Sequence, residues 1–537
     1  MSTKPVTKII EDFSNPDKAE ELFKKIREFQ NNPELPLEGK AVIDAILLAQ
    51  DGKIADAIEK WRSIANIAEG HNNELSAQAW FFVGILLSKR NHEESLSSYD
   101  KAINLKPDYA DAYYNRGNLK SALKQHESAI ADYDEATRID PNNASVYTSR
   151  GITKSLLGQF DSAIVDFGES IRLKPDDART YIKRGVAMAQ LKRYESAIAD
   201  FNEALRLEPD NALTYSIRGR AKGSLRQYKS ALDDFDETIR LEPEDIETYF
   251  VRGVTKERLG EYESAISDFD ENIRLQPDHG YAYFRRGSAK IALKHYEEAV
   301  ADFDKSIQLR PDDAYAYFRR GCAKDELERY GEAITDFDKT VLIKPSFAEA
   351  YFMRGYIKYK LNRYEDAIID FDETIKLKPD DVNAYSIRGY VKYELKHYEE
   401  AIADFDETIL LKPDNASSYN NRGHLKNKLG QYESAITDCN ECIRLDPDHA
   451  WAHTNRGFAK MMLDQTESAL IDCDKAISLD PTLAEAHETR GKTNALLGRT
   501  QEAKMDFQKA LELAKQEGNQ ELIAEIEQSL QELDETK

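Results

Sequence analysis

Three cysteines and two histidines late in the sequence are the side chains best suited to hold a metal ion. Cys439 and Cys442 are three residues apart, and His453, Cys473 and His487 follow in the same stretch. Thiols one helical turn apart, together with an imidazole, can bind zinc. A continuous helix, however, lacks the knuckle turn of a zinc ribbon, and a buried free cysteine often serves as a small apolar filler. We therefore predict no metal ion and no cofactor.

Recurring charged side chains form a second candidate site. An arginine recurs from Arg116 to Arg490, usually with a lysine four residues later, and an aspartate recurs from Asp132 to Asp506. Such a ladder can bind an extended charged ligand. A feature present in every copy is better explained by pairing between helices, for which the guanidinium group is well suited. We predict structural arginine–aspartate pairs, whose attraction desolvation can cancel.

A period of 34 residues positions all these side chains. Prolines recur at this interval from Pro107 to Pro481, and glycines recur from Gly117 to Gly491. A leucine follows the same period, and we predict that it is buried, as at Leu259. Twelve copies of one repeat therefore fill residues 110–517.

One copy, residues 212–245, shows how each repeat is built. In its second half the apolar side chains are spaced by three and four residues, which indicates one face of a helix. Pro243 ends that helix, and the short Leu225–Tyr228 stretch allows only a tight turn before it. The repeat is therefore an antiparallel helix pair, and the pairs must stack because one pair cannot bury its own apolar face.

This repeat resembles the tetratricopeptide repeat (TPR). The family pattern of aromatic, glycine, alanine, phenylalanine and proline is present as Tyr283, Gly287, Ala299, Phe303 and Pro311. The resemblance implies an all-α, right-handed α-solenoid (superhelix) of antiparallel helix pairs. It also implies that the first helix of each repeat lines a concave groove, and that the protein is a non-catalytic scaffold or adaptor.

The predicted organisation has four parts. Residues 1–37 form an N-terminal helical segment, and residues 38–109 form two degenerate TPR repeats. Residues 110–517 form twelve regular repeats, and residues 518–537 form a C-terminal capping helix. Atypical terminal repeats are expected because one side of each must face water.

The choice of ligand must depend on positions where the copies differ. Repeats five to eight place a phenylalanine beside the recurring tyrosine, and aromatic and arginine side chains are enriched at interface hot spots. We expect a protein or peptide partner with apolar anchors and acidic groups; the alternative is ordinary packing between adjacent first helices. The predicted partner-binding residues are Phe250, Tyr281, Phe284, Arg285, Tyr315, Phe318, Arg319, Phe352, Tyr356 and Tyr390.

One known TPR site, the carboxylate clamp for the C-terminal tails of chaperones, can be compared residue by residue. Asn118 in repeat one and the pair Arg179 and Lys183 in repeat three match the clamp. Tyr114 and Ser149 stand where the clamp has lysine and asparagine. We therefore do not predict binding of a chaperone tail.

The composition narrows the function further. The chain has 98 acidic and 74 basic residues and a net charge of −24, which disfavours binding to nucleic-acid phosphates. No apolar run is long enough for a membrane span, and no phosphate-binding glycine loop or catalytic constellation is present. We expect a cytoplasmic, non-enzymatic protein that binds other proteins. The alternative is a structural protein that self-associates through its ends or its convex face.

Overall fold

A computed structural model describes residues 37–535 of the 537-residue chain. The helical segment predicted in residues 1–37 lies outside the described residues except for its last residue. The chain divides into two compact bodies after Glu271. Every helix or strand assigned between residues 37 and 535 is an α-helix.

The first body holds four helices before the regular repeats, and then the first helices and second helices of repeats one to five in alternation. Its helices are α1 (Leu37–Gln50), α2 (Ile54–Ala68), α3 (Asn73–Leu87), α4 (His92–Leu105), α5 (Ala110–Ala122), α6 (His126–Ile139), α7 (Ala144–Leu156), α8 (Phe160–Leu173), α9 (Ala178–Gln190), α10 (Tyr194–Leu207), α11 (Ala212–Ser224), α12 (Tyr228–Leu241) and α13 (Ile246–Leu259). Helix α14 (Tyr262–Leu275) contains the division between the bodies.

The second body holds repeats six to twelve and one further helix. Its helices are α15 (Gly280–Ala292), α16 (Tyr296–Leu309), α17 (Ala314–Glu326), α18 (Tyr330–Ile343), α19 (Ala348–Lys360), α20 (Tyr364–Leu377), α21 (Val382–Glu394), α22 (Tyr398–Leu411), α23 (Ala416–Lys428), α24 (Tyr432–Leu445), α25 (Ala450–Met462), α26 (Thr466–Leu479), α27 (Ala484–Leu496), α28 (Thr500–Glu517) and α29 (Gln520–Glu535).

Within each body, the two helices of a repeat pack together, and the second helix also packs against the first helix of the next repeat. This confirms the predicted all-α fold of antiparallel helix pairs with a 34-residue period. The right-handed superhelix stays a prediction, as do the three boundaries between the four parts given above.

Small residues in the first helix make room for a buried ring in the second. In repeat four, a Cβ atom added to Gly219 would lie 2.6 Å from Cε1 of Phe235, so no side chain fits there. Ala231 and Phe235 are fully buried. The recurring leucine does not share this core, because it lies at the end of the first helix beside the turn. Leu259 is only partly buried and Leu361 is exposed, so the prediction of a buried leucine was wrong.

Tight turns and side-chain caps set the helix ends. The turn inside a repeat requires one residue in the left-handed region, where φ is 80° at Gly260 and 59° at Lys396. At the start of α13, the Asp245 carboxylate accepts hydrogen bonds from the backbone N–H groups of Glu247 and Thr248. The left-handed turn residue recurs in all twelve regular repeats, whereas the side-chain cap is absent from some first helices, such as the one that follows Phe347.

The outermost helices of each body have apolar cores of their own. At the start of the first body, Trp61 and Phe81 belong to a buried cluster that joins α1 to α5. At the end of the second body, Leu522 and Ile526 of α29 pack in a cluster with Phe507 of α28. A helix therefore follows the last repeat, where the sequence predicts one.

Candidate partner-binding site

The arginine–aspartate ladder joins the two helices of a repeat. In repeat seven, Arg320 Nε donates to Asp336 Oδ2 at 3.0 Å, and Lys324 Nζ lies 2.9 Å from the same oxygen. Asp336 is buried, so these two cations take the place of water around its carboxylate. The predicted pairing is confirmed.

In most repeats the arginine also reaches the repeat before it. Arg354 Nη1 donates to Asp338 Oδ1 of the preceding repeat at 2.6 Å. Where Gly168 replaces the corresponding aspartate, no such bond can form. Burial alone would lower the pKa of Arg354, but hydrogen bonds and charges from Asp370 and Asp338 raise it above its ordinary value. The guanidinium group thus joins the two helices of its own repeat and the preceding repeat, and it is not available to a ligand.

Three phenylalanines of the predicted site are held against the core of their own repeats. Each is half-buried, and each ring lies edge-on or tilted against the fully buried phenylalanine of the second helix. Such contacts fix the orientation of the rings. The pairs are Phe284–Phe303 (5.8 Å between ring centroids), Phe318–Phe337 (5.7 Å) and Phe352–Phe371 (5.8 Å).

Two tyrosines of the predicted site are exposed and backed by cations. Tyr281 is 53% exposed and Tyr315 is 51% exposed, and each is the second residue of a regular first helix. The Arg310 guanidinium carbon lies 3.4 Å from the centroid of the Tyr281 ring. Lys344 Nζ donates to the Tyr315 hydroxyl at 2.7 Å and lies 4.6 Å from its ring centroid. These contacts hold the rings in place while one face stays open to solvent.

Tyr356 and Tyr390 carry the aromatic surface into repeats eight and nine. Lys360 Nζ lies 4.8 Å from the centroid of the Tyr356 ring. The Tyr390 ring is exposed and stands edge-on to Phe405, with centroids 5.5 Å apart. We call the following seven residues the central aromatic face: Tyr281, Phe284, Tyr315, Phe318, Phe352, Tyr356 and Tyr390, all of which belong to first helices of the second body.

The other predicted site residues differ in their surroundings. Arg319 is exposed beside the central aromatic face, and Arg285 is partly buried. Phe250 belongs to α13 of the first body, where its ring lies 6.0 Å from that of Phe269. Phe250 therefore belongs to the first body and is not part of the central aromatic face.

Three residues of this surface were missed by the sequence reasoning. Arg310 and Lys344 lie at the ends of second helices, whereas the prediction considered first helices alone. Phe347 is buried, and its ring lies 4.8 Å from Phe318 and 5.1 Å from Tyr315. The available signal was its position, because Phe347 stands where most repeats have aspartate or asparagine before the first helix.

Repeats ten and eleven present a hydrogen-bonded polar network in place of rings. Asn455 Nδ2 donates to Asn420 Oδ1 at 3.0 Å, and Asn427 Nδ2 donates to the Asn455 carbonyl oxygen at 2.8 Å. His424 Nδ1 lies 3.1 Å from Asn455 Oδ1. We call Asn420, His424, Asn427 and Asn455 the polar network. It joins the first helices α23 and α25 directly.

The late cysteines are buried between helices. Cys439 and Cys473 stand where other repeats have the buried phenylalanine, and Cys442 lies one turn after Cys439. Burial raises the pKa of the Cys439 and Cys473 thiols to about 12, so both are protonated at neutral pH. Among the described residues, no group of three or more histidine, cysteine, aspartate or glutamate side chains is arranged to hold a metal ion.

The positions compared with the carboxylate clamp lie in the first body. The Tyr114 hydroxyl is 3.4 Å from Ser149 Oγ. Asn118, which matches the clamp, already accepts a hydrogen bond from the Tyr133 hydroxyl at 2.9 Å. The geometry gives no support to a chaperone-tail site. A search of residues 37–535 found no helix long and apolar enough to cross a membrane.

Comparisons with known proteins agree with this architecture. Models described as "Tetratricopeptide repeat" match residues 110–143, 178–211, 218–279, 250–315, 278–344, 348–381, 382–415, 416–449 and 484–517, and one described as "TPR repeat" matches residues 85–123. Together these spans cover more than half of the sequence. The chain belongs to the tetratricopeptide-repeat family.

Several solved structures are similar to the chain over part of its length. MamA from Desulfovibrio magneticus RS-1 is 25% identical, covers 32% of this chain and 96% of its own, and has a TM-score of 0.31. YrrB, described as a TPR protein with an unusual peptide-binding site, is 24% identical, with coverage of 35% and 96% and a TM-score of 0.33. Yeast Tom70 is 17% identical, with coverage of 80% and 96% and a TM-score of 0.31. No curated protein matches the sequence.

Proposed function

We propose that this protein is a non-catalytic adaptor whose central aromatic face binds a segment of a partner protein. The observation that carries the proposal is the pair Tyr281 and Tyr315, two large rings at equivalent positions of consecutive repeats that remain about half exposed. Exposed aromatic rings held in one orientation lose little side-chain entropy on binding, which is why such rings serve as interface anchors.

The chemistry around the rings indicates the partner. Arg319 is exposed on the same first helix as Tyr315 and Phe318, so a carboxylate of the partner can pair with it beside an apolar anchor. The predicted partner is a segment with apolar or aromatic anchors and acidic groups. Nucleic acid is disfavoured because the chain carries a net charge of −24.

We also propose that the protein is cytoplasmic. All four cysteines, Cys322, Cys439, Cys442 and Cys473, are free thiols. Unpaired cysteines are typical of reducing compartments, where disulfides do not accumulate. Oxidation-sensitive labelling of these thiols in intact cells tests this assignment, and a protein found oxidised in its native compartment would contradict it.

The test of partner binding should use tyrosines and not phenylalanines. Because Phe284, Phe318 and Phe352 pack against buried rings, truncating them also damages the core. The variant Tyr281→Ala, Tyr315→Ala removes exposed area, and a matched variant Leu342→Ala, Leu410→Ala removes exposed apolar area from second helices. Affinity capture from source-cell lysate should yield a partner with the wild type and the leucine variant but not with the tyrosine variant. Capture by all three proteins would place binding elsewhere.

Self-association is the alternative, and one observation favours it. Leu342, Ile369 and Leu410 are exposed apolar side chains on second helices of the second body. If these side chains join copies of the chain, the mass measured by analytical ultracentrifugation rises with concentration, and the Leu342→Ala, Leu410→Ala variant remains monomeric. A monomer at all concentrations excludes this function.

A further inference from the structure

We propose that repeat twelve binds a basic side chain of the partner segment, through the carboxylates Glu485 and Glu488 on α27. The inference rests on the proposed function, because it concerns the same row of first helices. It adds a second chemistry to that row: the central aromatic face takes apolar and acidic groups, and this basic-group pocket, formed by Glu485, Glu488 and Asn427, takes a guanidinium or ammonium group.

The two carboxylates are unusual because they are withdrawn from solvent without full compensation. Glu488 is only 7% exposed, and the cation nearest to it is Lys492, whose Nζ lies 2.6 Å from Glu488 Oε1. Glu485 is partly buried, and its Oε2 atom is buried without a hydrogen-bond partner. A buried carboxylate oxygen without a donor is costly, and a bound cation is one of the few ways to satisfy it.

A second acceptor without a donor lies on α23, the first helix of repeat ten. Asn427 is 6% exposed, its amide nitrogen is used by the polar network, and its Oδ1 atom has no hydrogen-bond partner. Asn427 holds in repeat ten the position that Tyr393 holds in repeat nine. The ammonium group of Lys428, the residue after Asn427, acts electrostatically on both Glu485 and Glu488, and Glu485 acts on Tyr393, so the end of α23 lies near the carboxylates of repeat twelve.

Nearby carboxylates also make the surroundings of Glu485 and Glu488 negative. Burial raises the pKa of Glu485, and the carboxylates of Glu517 and Glu488 add to the effect. Burial also raises the pKa of Glu488, with Glu525 adding to it and Lys492 and Lys428 opposing it. Lys428 also opposes the shift at Glu485, but the pKa of both carboxyls stays raised, so the resident ammonium groups offset their burial only in part.

The chemistry of the missing group follows from these acceptors. Glu485 Oε2 and Asn427 Oδ1 need N–H donors, and the surrounding charge is negative. A guanidinium group supplies several N–H donors in one plane with a positive charge, so arginine fits best and lysine second. An acidic or apolar side chain would leave the same oxygens unsatisfied.

The probe for this pocket is acetyl-triarginine amide, with acetyl-tricitrulline amide as its neutral counterpart of similar shape. Binding is measured by isothermal titration on the full chain. The test variant is Glu485→Gln, Glu488→Gln. The matched control, Glu399→Gln, Glu433→Gln, removes two exposed carboxylates from the first turns of α22 and α24. The control is needed because a chain with a net charge of −24 attracts any polycation weakly.

The wild type should prefer the arginine probe to the citrulline probe by at least ten-fold, and the control variant should keep this preference. The Glu485→Gln, Glu488→Gln variant should lose it while melting at or above the wild-type temperature. An unchanged preference in that variant, an equal loss in both variants, or no preference in the wild type would overturn the proposal. The Tyr281→Ala, Tyr315→Ala variant should bind the probe like the wild type. Affinity capture therefore tests the proposed function of the central aromatic face, and isothermal titration tests the basic-group pocket independently.

Discussion

In repeats six to eight the first helices present aromatic rings, whereas in repeats ten to twelve equivalent positions hold asparagine, threonine and glutamate. Phe318, Asn420 and Glu488 occupy the same position of their repeats. Beneath them the ladder is unchanged: Arg320 bonds Asp336, and Arg456 bonds Asp472 in the same geometry. The constant positions therefore build the fold, and the positions that vary above them decide what each stretch can bind.

The spacing of the first helices differs along with their chemistry. In repeats ten and eleven, the polar network links α23 to α25 by direct hydrogen bonds. The buried ring of the second helix is replaced there by Cys439 and Cys473. These two repeats thus combine a smaller buried side chain with an amide network between first helices, whereas the aromatic repeats keep Phe337 and Phe371 in the core.

The largest predicted effect is on the ladder, and it should be equal in both regions. Arg354→Ala in repeat eight and Arg422→Ala in repeat ten each leave a buried aspartate with a lysine alone, and each should cost about 3 kcal/mol of unfolding free energy. Denaturant titration measures both. The triple variant Arg354→Met, Lys358→Met, Asp370→Leu should lose less, because no buried charge is left unpaired. A difference of more than about 1 kcal/mol between the two arginines would break the claim of a common frame.

The next effect separates the two regions. Cys439→Phe restores the ring found in most repeats, and an argument from the repeat pattern alone expects stabilisation. The structure predicts a loss of about 1–3 kcal/mol, because Cys439 is fully buried and its Sγ atom already lies 3.2 Å from a Cβ placed on Gly423. Thermal unfolding decides between these expectations, with Cys322→Ser at a partly buried site as the control.

A smaller effect concerns pH and the basic-group pocket. The raised pKa of Glu485 and Glu488 means that their protonated forms favour the fold below about pH 4.3, and that this contribution is lost as pH rises through the folded-state values. Glu485→Gln, Glu488→Gln should therefore stabilise the protein at pH 7 by about 1 kcal/mol, and the gain should shrink at pH 4. Melting at both pH values measures it. A variant less stable than the wild type at pH 7 would contradict the account.

Asp472 should show the opposite dependence. Its neighbours His453, Arg456 and Lys460 hold the pKa of this carboxyl well below its usual range despite burial. Its contribution to stability is therefore present above about pH 3.9 and is lost as pH falls further. Asp472→Asn should destabilise the protein at pH 7 and flatten the loss of stability on acidification. Equal acid sensitivity in the variant and the wild type would count against this pair as the cause.

The smallest effect lies in the turns. Lys396 in repeat nine has φ of 59°, whereas the matching residue of repeat ten is Gly430, with φ of 73°. Lys396→Gly relieves a left-handed conformation and should stabilise the chain by at most about 1 kcal/mol. Gly430→Lys should do the reverse, and melting of both variants tests whether the two turns are equivalent.

The sequence predicts the constant positions of this fold well and the variable ones only in part. Spacing alone identified Arg320 and Asp336 as partners, because a residue repeated in every copy must serve stacking. It could not show that Leu259 is only partly buried, since periodicity marks a position without giving its depth. It also missed Lys344 and Phe347, which follow the second helix of repeat seven and reach Tyr315 and Phe318 through packing within that repeat.

The basic-group pocket could not be predicted from the sequence at all. Glu485 and Glu488 are two glutamates among many, and nothing in their spacing marks them. Their interest comes from burial, from an oxygen without a donor, and from the nearby position of Asn427. These are properties of two separate repeats, ten and twelve, and a pattern within one repeat does not contain them.

Quantitative affinity capture tests the central claim most directly. Wild type, the Tyr281→Ala, Tyr315→Ala variant and the Leu342→Ala, Leu410→Ala variant are compared at equal loading, after melting has shown all three to be folded. The account predicts a partner retained by the wild type and the leucine variant, depleted at least ten-fold by the tyrosine variant, and binding through a segment with apolar and acidic groups. The same partners in equal amounts on all three proteins would contradict it, and would leave the central aromatic face as packing alone.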